Sequence, residues 1–169
     1  TIIVFTSDNG AQSGGPSVLP GNAPFPGFKA TYYQGGIRVP MFFYWSEKIK
    51  AGVKSDKLVS NLDILPTLID AAGGTVPESI DGKSLMPILT KQSDEPVHDY
   101  LFWAGLHSRN WGYTSDKALK NDVRFAPYAW AIIKDDYLLR YVGTIIPDLY
   151  SDLINGQGPV YELYNIKLD

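Results

Sequence analysis

The sequence predicts an α/β chain carrying a small antiparallel β-sheet subdomain with a helix, and three observations point there. The opening run TIIVFT is apolar and β-branched, holds no Gly or Pro, and is stopped by Ser7-Asp8-Asn9-Gly10. That is the pattern of a buried strand ending in a tight turn. The stretch Ile64–Ala72 has helical spacing between Asp63 and Gly73-Gly74. Beyond about Asp94, the segments Asp99–Ala104, Tyr128–Lys134, Tyr137–Val142 and Val160–Tyr164 read as aromatic-rich strands. Two parts are therefore expected: residues 1–93 as the α/β portion and residues 94–169 as the small sheet.

The elements follow in order. A central strand at residues 1–6 needs neighbours on both sides, and parallel ones would have to come from sequence not present here. The chain is accordingly expected to be the C-terminal piece of a longer protein. Residues 10–36 are heavy in Gly and Pro, too long for an ordinary loop and so expected to be functional or disordered, with Tyr32 and Tyr33 packing down the far end. Met41–Trp45 reads as a second strand, entered through Pro40. The lysines at 48, 50, 54 and 57 lie in a polar stretch and suit a solvated loop. Asp63 is the expected N-cap of the helix, Pro66 sits in its first turn, and the glycines end it. Leu65, Leu68 and Ile69 recur at helical spacing and are expected to face the core. A short helix is expected over Ser84–Leu89. Asp135-Asp136 is the expected two-residue turn of a hairpin.

Composition narrows the function classes. A formal net charge of -3 with scattered basic residues argues against a nucleic-acid face. The absence of cysteine excludes disulfides, thiolate catalysis and Cys-ligated metals. No run of about 18 apolar residues occurs, so no membrane span is expected, and the opening residues lack the pattern of a signal peptide.

The chemistry starts at Asp8 and Asn9, at the carboxyl end of the first strand, where open α/β sheets place ligands. A carboxylate beside an amide oxygen is a hard donor pair that suits Ca²⁺ or Mg²⁺ better than zinc; Asp, Asn and Gly also close ordinary turns. Downstream stands Lys29-Ala30-Thr31-Tyr32-Tyr33-Gln34-Gly35-Gly36-Ile37-Arg38-Val39-Pro40. By itself Lys29 reads equally as a solvated loop residue. Gly35 and Gly36 read as a turn or close backbone approach. Arg38 is expected to be structural, pairing with a buried carboxylate. His98, near Pro96, reads as a loop residue. His107, Arg109 and Trp111 share a long polar loop over residues 105–127.

Taken together, these blocks resemble the sulfatase family of the alkaline phosphatase superfamily. The match rests on T-S-D-N-G after an apolar strand, on the Lys29–Pro40 block (similar to K-x-T-x-x-E-G-G-x-R-V-P), on Asp63-Ile64-Leu65-Pro66-Thr67-Leu68, and on Glu162-Leu163-Tyr164-Asn165-Ile166. The resemblance implies the C-terminal part of an alkaline-phosphatase-like sandwich. It implies Asp8 and Asn9 as calcium ligands, and Lys29 as the catalytic and substrate-binding ammonium at the sulfate ester. His107 and Arg109 become substrate-contact candidates, beside Trp111. It implies a formylglycine nucleophile, made from Cys or Ser in C/S-x-P-x-R, which this chain lacks. Its hydrate attacks sulfur, and the alcohol leaves. Gln34 stands where the family pattern has Glu, removing a charge that could pair with Arg38. The implied partners are a sulfated small molecule or carbohydrate and the missing N-terminal part, in a periplasmic or secreted parent, and the piece alone is expected to be inactive. Two other readings stand beside it. One is a phospho- or phosphonate ester hydrolase of the same superfamily, and the other a non-catalytic module that binds carbohydrate or a partner chain.

Overall fold

The computed structural model describes residues 1–12, 21–29, 31–105, 129–142 and 160–168. The chain divides into two compact units, Thr1–Asp8 with Val39–Leu101, and Asn9–Arg38 with Phe102–Asp169.

In the first unit, β1 (Ile3–Thr6) pairs antiparallel with β2 (Met41–Tyr44), setting Ile3 opposite Tyr44 and Phe5 opposite Phe42. The strand expected at residues 1–6 forms, and within these 169 residues only one of its faces is covered. Ile3, Phe5, Phe42 and Tyr44 are each at least half exposed, and the Phe5 and Phe42 rings stack at 5.0 Å on the open face. Side chains alternate between faces, and a two-stranded ribbon covered on one side leaves the other in solvent. The covered side presents Met41 and Phe43 to a core of Leu85, Ile88 and Val97, joined by Val59 and Leu89.

The helix α2 (Ile64–Ala71) follows a 3₁₀ turn at Asn61–Asp63. Capping is done by Ser60, whose hydroxyl accepts from Leu62 N (3.3 Å) while the Asp63 carboxylate accepts from Ser60 N (2.7 Å). Asp63 thus stands at the N-cap position of α2, as expected, but its carboxylate makes no capping bond to that helix and serves as the third residue of the Ser60 capping box. The helix face is corrected at one position: Leu65 is 58% exposed, Leu68 and Ile69 are partly buried, and the fully buried residues are Pro66 and Thr67. The Thr67 hydroxyl donates to Asp63 O (2.6 Å) and accepts from Leu85 N (2.8 Å), which rotates that polar edge inward. At the other end Gly73 N and Gly74 N donate to Asp70 O and Ile69 O, each at 2.9 Å, closing the helix at the glycines as expected. The second helix is shorter than Ser84–Leu89, running over α3 (Met86–Leu89) with Pro87 in its first turn.

The second unit contains a four-residue helical turn, α1 (Gln34–Ile37), and most of a sheet ordered β3 (Tyr100–Gly105), β4 (Ala129–Lys134), β5 (Tyr137–Val142), β6 (Val160–Asn165). The β4–β5 and β5–β6 pairs are antiparallel. Asp135-Asp136 makes the expected hairpin turn, with Asp135 at φ +52°, a conformation Asp tolerates better than most. One sheet face buries Ala129, Ala131, Ile133, Leu138 and Arg140. The opposite face carries an aromatic row of Phe102, Trp130, Tyr141 and Tyr161, with neighbouring centroids 4.9–6.3 Å apart. No helix among the described residues is long and apolar enough to cross a membrane.

Candidate functional site

Asp8 leaves β1 exposed, and it forms no hydrogen bond or ion pair among the described residues. Asn9 is half-buried and has partners of its own. Beyond it the backbone is fastened to the Lys29–Arg38 block at two points. Gly10 N donates to Gly36 O (2.9 Å), and Lys29 N donates to Ala11 O (3.0 Å). The side chain of Asn22 braces the same place, accepting from Ala11 N (2.7 Å) and donating to Ala11 O (2.9 Å) and Gly27 O (3.1 Å). A segment that the sequence suggested could be either functional or disordered is thus tied down at both described ends. Its backbone runs so close that a Cβ on Gly10 would sit 1.7 Å from Gly35 O, and one on Gly36 2.1 Å from Thr31 O. These are the close approaches expected of the glycine pair.

Lys29 is half-buried, and its ammonium forms no ion pair among the described residues. Its turn is closed by Thr31, whose N donates to Phe28 O (2.9 Å) and whose hydroxyl donates to Phe28 O (2.7 Å) and accepts from Phe28 N (3.0 Å). A cation on a hydrogen-bonded turn, without a carboxylate partner among the described residues, can receive an anionic group with little reorganisation.

Arg38 is structural, although its partner differs from the buried carboxylate expected. Its Nη1 donates to Gln34 Oε1 (2.9 Å), and its guanidinium lies 4.4 Å from the centre of the Phe25 ring. The amide of Gln34 preserves the link that a Glu would make, at the cost of the charge.

His98 lies in a loop, as expected, and is anchored there: its Nε2 lies 2.8 Å and 3.0 Å from the two carboxylate oxygens of Asp63, which is fully buried. A carboxylate can only accept, so Nε2 carries the proton of this contact. The two residues are 35 apart in the chain, and no local spacing announces the pair.

A second buried charge cluster went unforeseen. Arg140, 5% exposed, sits directly opposite Glu162 in the β5–β6 register and ion-pairs with it through Nη1. Its guanidinium lies 3.7 Å from the centre of the Tyr33 ring, whose hydroxyl donates to Glu162 Oε1 and Oε2 (3.4 and 3.3 Å). The Tyr33 ring meets Tyr164 edge-on at 5.8 Å, so the tyrosines at the end of the long segment do pack down. One signal was available in the sequence: a lone Arg in YLLRYV and a lone Glu in VYELY, each in an otherwise aromatic strand. Burial pushes the Tyr164 phenol well above its ordinary value of 10.0, with Tyr33 next and the Glu162 carboxylate adding to it. A raised folded value means that stability is unaffected below about pH 10, then falls as pH rises further, because the unfolded phenol ionises first. Alkaline absorbance titration is expected to show a late tyrosinate that disappears in Tyr164→Phe; an unchanged curve counts against this environment.

His107, Arg109 and Trp111 lie outside the described residues. For a cation, Asp8 and Asn9 offer two hard oxygens of the six to eight that Ca²⁺ takes. No group of three or more His, Cys, Asp or Glu that could hold a metal occurs among the described residues. The donor type therefore fits a hard cation, and the remaining oxygens would have to come from elsewhere.

Comparison with known proteins gives a consistent result. Residues 1–74 match the family model described as Sulfatase. Over 110 residues the chain is 43% identical to an uncharacterized sulfatase of Escherichia coli, covering 64% of this chain and 19% of that protein. It is 43% identical over 109 residues to the human steryl-sulfatase, covering 60% of this chain and 19% of that one. The chain thus spans about a fifth of the length of these curated relatives. Among solved structures it superposes with TM-score 0.63 and 25% identity on a protein in complex with its substrate D-glucosamine-2-N,6-O-disulfate, covering 99% of this chain and 28% of that one. A second, from a glycosaminoglycan-metabolism locus of Bacteroides thetaiotaomicron, gives 0.64 at 21% identity, covering 100% and 33%. These likenesses agree with the α/β class expected from the sequence.

Proposed function

We propose, from a chain that belongs to the sulfatase family over residues 1–74, that the intact protein is a sulfuric ester hydrolase. The observation that carries this reading is Lys29: a half-buried ammonium without an ion-pair partner among the described residues, on a turn hydrogen-bonded two residues from Asn9. As an S–O bond breaks, negative charge grows on the bridging oxygen, and a fixed ammonium stabilises that charge most when it need not reorient. Lys29 would also bind the sulfate group. His107 and Arg109 are proposed as substrate contacts. The likeness to a protein solved with a disulfated glucosamine supports a sulfated carbohydrate as the substrate class.

Asp8 and Asn9 would contribute two oxygens to Ca²⁺, completed by donors outside the described residues. Bound there, the cation supplies positive charge that offsets the sulfate oxygens. The nucleophile, proposed as formylglycine, would come from sequence outside these 169 residues, which contain no cysteine.

The test uses purified full-length protein on 4-nitrophenyl sulfate and 4-nitrophenyl phosphate. Sulfate turnover is expected to dominate, to be lost on dialysis against a chelator and to return with Ca²⁺. Faster phosphate turnover, or none on either ester, overturns the reading. The 169-residue chain by itself is expected to turn over neither.

A further inference from the structure

Lys29 can act only if its turn is held, and hydrogen bonds within the turn do not say what the turn is held against. Its outer support is Tyr33. A Cβ on Gly27 would meet the Tyr33 Cβ at 2.5 Å, so the backbone two residues before Lys29 lies against that side chain. The Tyr33 C=O ties it to the same compact stretch, accepting from Gly36 N and Ile37 N (2.8 and 3.2 Å). On its other side the ring is covered by the Arg140 guanidinium, and its hydroxyl is held by Glu162.

We propose that Arg140 and Glu162 are positioning residues that fix the Lys29 turn through Tyr33; this rests on Lys29 acting at the sulfate ester. Neither residue is needed merely to pair β5 with β6, whose ladder already runs from Tyr137 opposite Asn165 to Val142 opposite Val160. A buried ion pair is a poor device for stability, since desolvation offsets most of its attraction. The Arg140 Nε makes that worse: it is buried and lacks a hydrogen-bond partner among the described residues, a cost an apolar residue there would not carry. What the pair supplies instead is direction. A guanidinium over one ring face and a carboxylate at the hydroxyl leave Tyr33 a single orientation. Tyr33 in turn sets Gly27 and the turn from Phe28 to Thr31.

Two readouts on the full-length protein test this. The first is a double-mutant cycle on 4-nitrophenyl sulfate turnover. Arg140→Lys keeps the charge and loses the planar fork, and Tyr33→Phe keeps the ring and loses the hydroxyl. Each is expected to lower kcat by about 10- to 100-fold, the scale of a small misplacement of a catalytic group. In a Lys29→Ala background the same changes are expected to cost less than about threefold, because what they position is already gone. Equal losses in both backgrounds would mean a merely structural role and overturn the proposal. The second readout is hydrogen exchange at the amides of Phe28, Lys29 and Thr31, expected to speed up at least tenfold in Arg140→Lys while those of β1 and β2 hold. Unchanged exchange at those three amides also overturns it. If the unaltered enzyme hydrolyses no sulfate ester, the functional reading fails on its own account. The exchange experiment then decides whether the sheet holds the turn.

Discussion

Asp63→Ala is expected to destabilise the protein by about 3–5 kcal/mol, the scale of leaving several buried donors unsatisfied at about 1–3 kcal/mol each. The carboxylate is completely buried, and three donors converge on it: Ser60 N at 2.7 Å, Lys83 N at 2.8 Å and His98 Nε2 at 2.8 Å. Truncation strands all three, two of them backbone N–H groups that cannot turn away to other partners. It also removes the carboxylate half of the Ser60 capping box at the head of α2, beside the Thr67 hydroxyl that donates to the Asp63 backbone carbonyl and receives Leu85 N. Leu85 belongs to the apolar core of the first unit, so the damage spreads to the packing of Ile88 and Val97. His98→Ala removes a single donor and leaves the carboxylate its two backbone partners, so a loss of about 1–2 kcal/mol is expected. Chemical denaturation of both variants checks the order. If the two cost the same, or Asp63→Ala costs under about 1 kcal/mol, the hub does not organise this unit.

Lys29→Ala is expected to lower kcat on sulfate esters in the full-length protein by about 10²- to 10³-fold, the usual effect of deleting one fixed donor at developing charge. KM is expected to move far less, because most of that stabilisation arises only as the bond breaks. Lys29→Arg is expected to recover little, since a planar fork does not occupy the place of a compact ammonium. Folding is expected to be almost unaffected: the backbone bond from Lys29 N to Ala11 O survives both changes, and the ammonium has no ion-pair partner among the described residues to lose. A Lys29→Ala enzyme with near-normal kcat would return this residue to the status of a solvated loop lysine.

How much was legible differs by element. Local patterns served well where the driving force is local. The strands β2 to β6, the Asp135-Asp136 turn and the glycine stop of α2 all follow from alternation, turn chemistry and backbone freedom. They served badly where burial depends on what comes to lie opposite. TIIVFT reads as a covered strand, and within these 169 residues Ile3 and Phe5 stay half exposed, because apolar composition says that a strand can be buried and not which segment covers it. Leu65 fits the helical stripe but faces out, since the Thr67 hydroxyl, not an aliphatic side chain, decided which edge of α2 turns inward.

For the site, the residue types were readable and their supports were not. Asp8, Asn9 and Lys29 stand out by motif, and the close approach of Gly35 and Gly36 by their lack of a side chain. Pairing across 35 residues for Asp63 with His98, and across 129 for Tyr33 with Glu162, leaves no local trace. The amino-acid order therefore determined by itself where strands and turns occur, and it singled out Asp8, Asn9 and Lys29 as the candidates proposed for a cation and a sulfate ester. Only the tertiary structure decided which charges are buried together and what the Lys29 turn rests on. Periodicity is a property of neighbours along the chain, whereas desolvation and ion pairing depend on neighbours in space.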